Sequence, residues 1–303
     1  MKDRYIFMLL ATTLLLTNCT PVSKSPIDYV DPFIGTGFHG HTYPGATTPY
    51  GAVQLSPDTR KGNWDACSGY HYSDSTIIGL SHTHLSGQSC IDLVDILFHP
   101  TTKPINTDTK YFSVEPIAFS HKDEKASPGY YSVNFKEEGI KAELTATTYT
   151  GVHRYTFNKG LPTSIIIDME HLLTDEAIDM ISLQQTAPNE IAGMRRTQGW
   201  VTNQYVHFVA QFSKDFSVCN IAEGNKQAIL HFGESDGTPI ISKVGISIVS
   251  EENARGNLEN DVKGFDFDAV HTQARNRWVD ELGTIIVESK DGNALKNFYT
   301  AMY

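Results

Sequence analysis

Two pairs of histidines with a single residue between them are the first candidates for chemistry in this sequence. His39 and His41 form one pair, and His82 and His84 form the other. On a β-strand this spacing would place both rings of a pair on one face, which is a geometry that suits a transition metal. No HExxH motif, CxxC motif or flanking carboxylate cluster completes either pair. We therefore assign no metal ligand and interpret these imidazoles as hydrogen-bonding groups, since each can both donate and accept.

A segment between the two pairs combines aromatic and planar polar side chains. A carbohydrate presents apolar C–H faces and a rim of hydroxyl groups, so its binding sites combine these residue types. The alternative is that Trp64 plugs a core while Arg60 and Asp65 form a surface ion pair. The predicted sugar-binding residues are Arg60, Trp64, Asp65, Tyr70, His71, His82 and His84. The last two, which are the second histidine pair, are expected in the pocket or in its supporting shell. A second, weaker cluster, expected near a domain interface, consists of Arg195, Arg196 and Trp200.

The acidic residues do not single out a catalytic pair. Hydrolysis of a glycoside normally requires a general acid and a general base, placed farther apart in inverting enzymes to admit a water molecule. The spacing of the acids selects none of them as partners, and no loop resembles an EF-hand calcium site. We assign no catalytic residue. The acids considered were Asp168, Glu170, Asp175, Glu176 and Asp179.

Short segments of alternating polarity, separated by Gly, Pro and Asn turns, dominate the chain up to residue 265. Residues 130–135 and 140–146 alternate in this way around Gly139, which predicts a β-hairpin. The pattern predicts a mostly β fold, an antiparallel β-sandwich of many short strands over residues 20–265. Further strands are predicted at 152–157, 164–169, 205–212 and 245–249.

The pattern becomes helical near Asp266, which is a candidate N-cap for a helix that ends at Gly283. Its apolar positions are Phe267, Val270, Ala274, Trp278 and Leu282. Residues 284–288 predict a short strand, and 294–303 predict the start of a second helix. The apolar face of that helix has no evident partner in the chain and consists of Leu295, Phe298 and Tyr299.

Composition limits the classes of function. The hydrophobic content of 40% and the charged content of 19% are those of a globular protein. The net charge is −11, and no long basic run offsets it, which argues against a nucleic-acid partner.

The first 19 residues are predicted to be an export signal. Lys2 and Arg4 precede an apolar segment, 6–16, that is too short to span a bilayer. The sequence Leu-Thr-Asn-Cys that ends at Cys19 resembles a lipoprotein cleavage site, and the alternative is a plain secretory signal. We expect an exported protein of the periplasm or cell surface, an outer-membrane lipoprotein whose only membrane contact is a lipid on Cys19.

Three cysteines follow Cys19, namely Cys67, Cys90 and Cys219. Export permits a disulfide between Cys67 and Cys90. Free, buried thiols are the alternative, and we take them as the default because three thiols cannot all pair within the chain.

Four motifs make the sequence similar to a known family. They read Tyr-Val-Asp-Pro-Phe-Ile-Gly-Thr-Gly at 29–37, His-Thr-Tyr-Pro-Gly-Ala-Thr-Thr-Pro-Tyr-Gly at 41–51, Ser-Gly-Tyr-His-Tyr-Ser-Asp at 68–74, and Gly-Leu-Ser-His-Thr-His-Leu-Ser-Gly at 79–87. They resemble the amino-terminal domain of glycoside hydrolase family 92, the bacterial calcium-dependent exo-α-mannosidases. The resemblance implies a sandwich, then a helical linker, then an (α/α)6 barrel that this chain begins at 266–303 but does not complete.

The resemblance implies inverting, calcium-dependent hydrolysis of terminal α-mannosides by the intact enzyme. The acid, the base and the calcium ligands are expected in the barrel beyond Tyr303, while the loop around Trp64 contributes to the pocket. The expected partners are α-mannoside glycans and the missing barrel. Two alternatives are a freestanding carbohydrate-binding module and an inactive truncated product. An exposed apolar face on the last helix would count against the freestanding module.

Overall fold

A computed structural model describes residues 24–104, 111–174 and 177–303. The predicted export signal and Cys19 lie outside these residues, as do Asp175 and Glu176. The helices within them are α1 (Glu251–Asp261), α2 (Phe267–Leu282) and α3 (Gly292–Met302), with short 3₁₀ turns at Pro26–Tyr29, Trp64–Ala66, His121–Asp123 and Glu223–Asn225. The strands, in chain order, are β1 (Ala46–Thr47), β2 (Gln54–Asp58), β3 (Thr76–Ile77), β4 (Gly79–Ser81), β5 (Leu97–Thr101), β6 (Ile117–Ala118), β7 (Glu124–Ser127), β8 (Tyr130–Phe135), β9 (Ile140–Ala146), β10 (Thr150–Phe157), β11 (Pro162–Asp168), β12 (Ala177–Ala187), β13 (Glu190–Gln198), β14 (Gln204–Phe212), β15 (Val218–Ile221), β16 (Gln227–Glu234) and β17 (Ile240–Ser247).

Two antiparallel sheets form the sandwich among the described residues. The seven-stranded sheet has the order β1-β2-β4-β5-β11-β16-β15, and the eight-stranded sheet has the order β12-β13-β14-β17-β10-β9-β8-β7. The predicted hairpin is confirmed, since β8 pairs with β9 in a register that places Phe135 opposite Ile140. The predicted mostly β fold is confirmed as well.

Alternation along single strands explains why the sheets stack. In β11, Ile165 and Ile167 enter the main core, while Ile166 between them packs on the opposite face with Phe112 and Ile229. Successive side chains of a strand point to opposite faces, so an unbroken apolar run means a strand buried on both sides.

Helix α1 lies within the range predicted as sandwich, and the sequence pattern did not predict a helix there. It packs on the outer face of the eight-stranded sheet through Ala254 and Leu258. A Cβ atom on Gly245 would lie 2.4 Å from the carbonyl oxygen of Ala254, so a glycine in β17 is needed for this close approach.

Helix α2 follows the prediction closely. Asp266 is its N-cap and accepts a hydrogen bond from the backbone N–H of Ala269 at 2.9 Å. All five of its predicted apolar positions are buried. They anchor the helix to β10 and to the segment around Ile27.

Two expectations for the last forty residues are wrong. Residues 284–288 form no strand, because no neighbouring strand pairs with them, and Ile286 is exposed. Most of the apolar face of α3 is covered rather than free, although Phe298 is only half-buried. Leu295 and Tyr299 are buried, and Tyr299 stacks on Tyr29 with ring centroids 5.9 Å apart.

The three cysteines of the described chain are free thiols, as expected, but only Cys67 is buried, and Cys90 and Cys219 are half-buried. Burial raises the pKa of the Cys67 thiol. None of the described helices is long and apolar enough to cross a membrane.

Candidate functional site

Trp64 stands on an exposed loop that is fixed at its base. The side chain of Asn63 caps the short turn by accepting from the backbone N–H of Asp65 at 2.8 Å. The indole Nε1 of Trp64 donates to the carbonyl oxygen of Ser89 at 3.1 Å. Because 49% of Trp64 remains accessible, the indole is an oriented apolar platform rather than a core plug.

Two histidines and a carboxylate surround this platform. Asp65 accepts from His39, with 2.6 Å between Oδ1 and Nδ1. His41 is buried beside Trp64, edge to face, and its Nδ1 lies 3.0 Å from the Oγ of Ser89. His39, His41 and Asp65 each offer a ligand atom within 4.8 Å of the others. The carboxylate of Asp65, which comes from a separate loop, completes the cluster with the first histidine pair, and the sequence did not predict this contact.

Arg60 lies with His71 rather than with Asp65, so the surface ion pair considered as an alternative does not form. The guanidinium of Arg60 pairs with Asp74 through Nε at 2.7 and 2.9 Å, and this pairing raises the pKa of Arg60. It also donates to the Oγ of Ser73 at 2.9 Å, which in turn lies 2.9 Å from the Nδ1 of His71. Arg60 and His71 are thus positioned by one shared polar network.

Tyr70 is buried beneath this surface, where its hydroxyl group donates to Glu124 at 2.8 Å. Burial, reinforced by the carboxylate of Glu124, raises the pKa of Tyr70. Tyr131 donates to the other oxygen of Glu124 at 2.7 Å. Tyr70 therefore ties the loop to the 3₁₀ turn and strand beside it, and it reaches no solvent-facing surface.

His84 is also buried, and it belongs to a carboxylate-centred triad. Asp58 lies 2.9 Å from the Nε2 of His84 through one oxygen and 2.9 Å from the Nε2 of His171 through the other. Burial opposes the ionisation of Asp58, but the charges and hydrogen bonds of the two imidazoles outweigh it, so the pKa of Asp58 lies below its usual range. Gly69 closes over this triad with a positive φ of 87°, and a Cβ there would lie 2.1 Å from an oxygen of Asp58.

His82 belongs to a second buried network, in which every proton position is fixed. The carbonyl oxygen of Ile96 can only accept, so the Nδ1 of His82, 2.8 Å away, carries the hydrogen. The Nε2 of His82 then accepts from the Nε2 of His153 at 3.0 Å, and the Nδ1 of His153 accepts from the hydroxyl of Tyr155 at 2.8 Å. Burial lowers the pKa of His82 to about 4, which keeps this ring neutral.

The predicted sugar-binding residues therefore divide into two layers. Trp64, Asp65 and Arg60 lie at the loop surface with His39, and His71 lies just below them. His82 and His84 are buried, which is compatible with the supporting role that their pattern allowed. Tyr70 was predicted to contact the sugar directly, but it is fully buried because its hydroxyl group is bound to Glu124.

The weaker arginine cluster does not form one surface. Arg195 is fully buried, where it donates to Asp95 at 2.6 Å and to the carbonyl oxygen of His171 at 2.6 Å. Arg196, the next residue of β13, points to the opposite face and pairs with Asp179 at the surface. The network around Asp95 and Asp58 could not be predicted from the sequence, because its members come from strands and loops that are far apart in the chain.

Three of the five acids considered for catalysis are described, and all three have local partners. Asp168 accepts from the backbone N–H of Glu170, Glu170 pairs with Lys226, and Asp179 pairs with Arg196. The assignment of no catalytic residue stands as a prediction.

A large open groove lies away from Trp64. It is a groove of about 830 Å³ between helix α1, the end of β17 and the loop at residues 83–93. Residues that line it include Gln54, Thr83, Tyr149, Gln204, Ile248 and Asn253. The exposure of Ile248 and Val249 gives this groove an apolar edge.

Sequence comparison matches two family models to this chain. The model described as the glycosyl hydrolase family 92 N-terminal domain covers residues 29–247. The model described as the glycosyl hydrolase family 92 catalytic domain covers residues 253–303. Together they span the sandwich and the three helices.

Solved and curated relatives show the same similarity. A family GH92 α-mannosidase from Bacteroides thetaiotaomicron, solved in complex with mannoimidazole, is 32% identical over 92% of this chain and has a TM-score of 0.86. A family GH92 inverting mannosidase from the same species is 23% identical over 93% of this chain, with a TM-score of 0.76, and shows the shared fold. An uncharacterized secreted glycosidase from Arthroderma benhamiae is 27% identical over 91% of this chain. The chain spans about 40% of the length of each of these relatives.

Proposed function

The chain belongs to glycosyl hydrolase family 92, and from this premise we propose that it is the amino-terminal part of an exported exo-α-mannosidase that hydrolyses terminal α-mannosides of glycans. The observation that carries the proposal is the exposed indole of Trp64, oriented by Ser89 and His41 and flanked by His39. An oriented aromatic face with planar polar neighbours suits the apolar and hydroxyl faces of a sugar.

The acid and base of the reaction belong, in this proposal, to a catalytic domain of which residues 253–303 are the beginning. The coverage of about 40% of each relative supports that division. In an inverting reaction one carboxyl group protonates the leaving oxygen while the other activates water on the opposite face of the ring. This chain would supply binding and orientation, which favour catalysis only when combined with those groups.

Calcium, which the family resemblance implies, does not fit the described side chains. Calcium takes six to eight oxygen ligands. The cluster of potential ligands found among the described residues contains two imidazoles and one carboxylate. We place calcium ligands in the catalytic domain and derive no step of this chain's chemistry from the ion.

The apolar-edged groove beside α1 is the surface on which we propose that the catalytic domain packs. Ile248 and Val249 are exposed there, directly before the helices that the catalytic-domain model matches. Burial of such an edge would stabilise the association of the two domains.

One test is the hydrolysis of an aryl α-mannoside by the protein extended through its catalytic domain. We expect hydrolysis that is lost with a calcium chelator, restored by calcium, and inverting when the first-formed anomer is followed by NMR. Hydrolysis by the extended protein that prefers another glycoside, or that retains configuration, would contradict the proposal.

A freestanding carbohydrate-binding module is the second candidate, and one observation favours it. The apolar face of α3 packs on the chain's own segment at Tyr29, so the objection from an exposed helix face disappears. Binding of methyl α-mannoside to the chain alone, followed by chemical shifts of the Trp64 indole, would support this candidate. The same shifts should stay unchanged if the catalytic domain is needed to complete the pocket.

A further inference from the structure

We propose that His39, His41 and Asp65 form a binding site for a divalent transition-metal ion, with zinc as the best-fitting ion. Each residue offers a ligand atom within 4.8 Å of the others. Two ligands of one zinc ion lie within about 4 Å of each other, since each bond is about 2.0–2.2 Å long. Small side-chain movements would therefore bring the three groups to one ion.

An unpaired nitrogen supports this site independently of the spacing. His41 is 4% exposed, and its Nε2 has no hydrogen-bond partner. Its other nitrogen lies 3.0 Å from the Oγ of Ser89. Buried polar atoms normally have partners, and a ligating histidine typically uses its second nitrogen to hold its ring in place. A metal ion would satisfy the Nε2 while Ser89 fixes the ring.

The donor set defines the class of ion. Two imidazoles with one carboxylate suit zinc and its neighbours, whereas calcium and magnesium prefer oxygen donors. Three protein ligands leave a coordination position for water or for a hydroxyl group. The side chain of His39 is 51% exposed, so the site is open to an ion from solvent.

Without an ion, a hydrogen bond occupies part of the site. His39 and Asp65 are 2.6 Å apart through Nδ1 and Oδ1, which is closer than two ligands around one zinc ion. Binding would separate this pair, and a neutral His39 ring would then carry its hydrogen on the nitrogen that does not bind the ion, because the ligating nitrogen must be unprotonated. The site does not depend on the proposed mannosidase function.

The test is a zinc chloride titration of the purified chain in competition with a chromophoric chelator. We expect one zinc ion per chain, with at least tenfold weaker affinity in His39→Ala and in Asp65→Asn. Both residues are partly exposed, so these variants should fold like the parent, as circular dichroism would verify. His207→Ala removes a partly exposed histidine outside the cluster and should leave the affinity unchanged. Excess calcium chloride should not displace the zinc.

Three results would overturn the proposal. They are the absence of stoichiometric zinc binding, equal zinc affinity of the parent chain, His39→Ala and Asp65→Asn, and displacement of zinc by calcium at comparable concentrations. Zinc bound at a thiol or at another histidine would leave the affinity of both variants equal to that of the parent chain, so it would also overturn the proposal.

Discussion

The indole of Trp64 meets the imidazole of His41 edge to face, with ring centroids 4.3 Å apart. The histidine is almost fully buried, while half of the tryptophan is accessible, so a fixed ring orients an exposed one. Edge-to-face contact is a preferred geometry for aromatic rings. This relationship makes the Trp64 loop a prepared binding surface, and it leads to the first prediction.

Trp64→Ala should lower the kcat/KM of the extended enzyme for an aryl α-mannoside by about tenfold or more. An aromatic platform typically contributes on the order of 1 kcal/mol or more through its contacts, and about 1.4 kcal/mol corresponds to a factor of ten. Tyr111→Ala removes another exposed aromatic side chain, beside Glu170 and Lys226, and should leave kcat/KM unchanged. Equal kinetics for Trp64→Ala and the parent enzyme would show that the indole does not contribute to substrate binding.

Asp58→Asn should destabilise the fold by about 3–5 kcal/mol, because it removes the charge that two buried imidazoles share. Urea denaturation of the chain measures this as a fall in the transition midpoint. Asp179→Asn breaks a carboxylate pair at the surface and should shift the midpoint little. Similar shifts in the two variants would show that the triad has no special structural role.

Gly69→Ala should be more destabilising than Gly87→Ala, although both glycines have positive φ. A methyl group on Gly69 would collide with Asp58 and His84, whereas nothing lies within 4 Å of the position that it would occupy on Gly87. The difference in their denaturation midpoints isolates the collision from the backbone strain common to both. Equal midpoints would mean that the loop moves away from Asp58 at little cost.

Stability should fall as the pH is lowered from 6.5 to 4. The pKa of His82 is about 4 in the folded chain and about 6.5 when unfolded, so over this range the unfolded chain binds the proton more readily. The stability contributed by the neutral ring is fully present above pH 6.5. Between the two pKa values the unfolded chain binds up to one more proton at His82, which lowers the free energy of unfolding by up to about 1.4 kcal/mol per pH unit. In His82→Asn the pH dependence of the unfolding free energy should be shallower. An unchanged slope would contradict the neutral hydrogen-bond chain through His153 and Tyr155.

Local patterns in the sequence predicted the parts of the fold that depend on neighbouring residues. Residues 130–135 and 140–146 alternate in polarity, and they form β8 and β9. Asp266 and Gly283 bracket α2 as capping residues would. Residues 284–288 have strand-forming composition but no partner strand, and helix α1 buries only Ala254 and Leu258, too few to produce a clear period.

The candidate site was less accessible to sequence reasoning because its geometry depends on distant residues. Trp64 could be recognised from its neighbours, whereas the pairing of His39 with Asp65 joins two separate loops. Asp58 and His171 are in contact although more than a hundred residues separate them in the sequence, and nothing in their spacing predicts this contact. Burial likewise separates Tyr70 and His84 from the surface residues that accompany them in the sequence.

The most direct test of the central claim is a measurement of aryl α-mannoside hydrolysis by this 303-residue chain alone, with calcium and with chelator. We propose that the acid and base lie in the remainder of the catalytic domain, so we expect no hydrolysis under either condition. Hydrolysis that disappears with chelator and in Trp64→Ala would contradict it, because the chain would then hold a complete acid–base pair and metal site of its own.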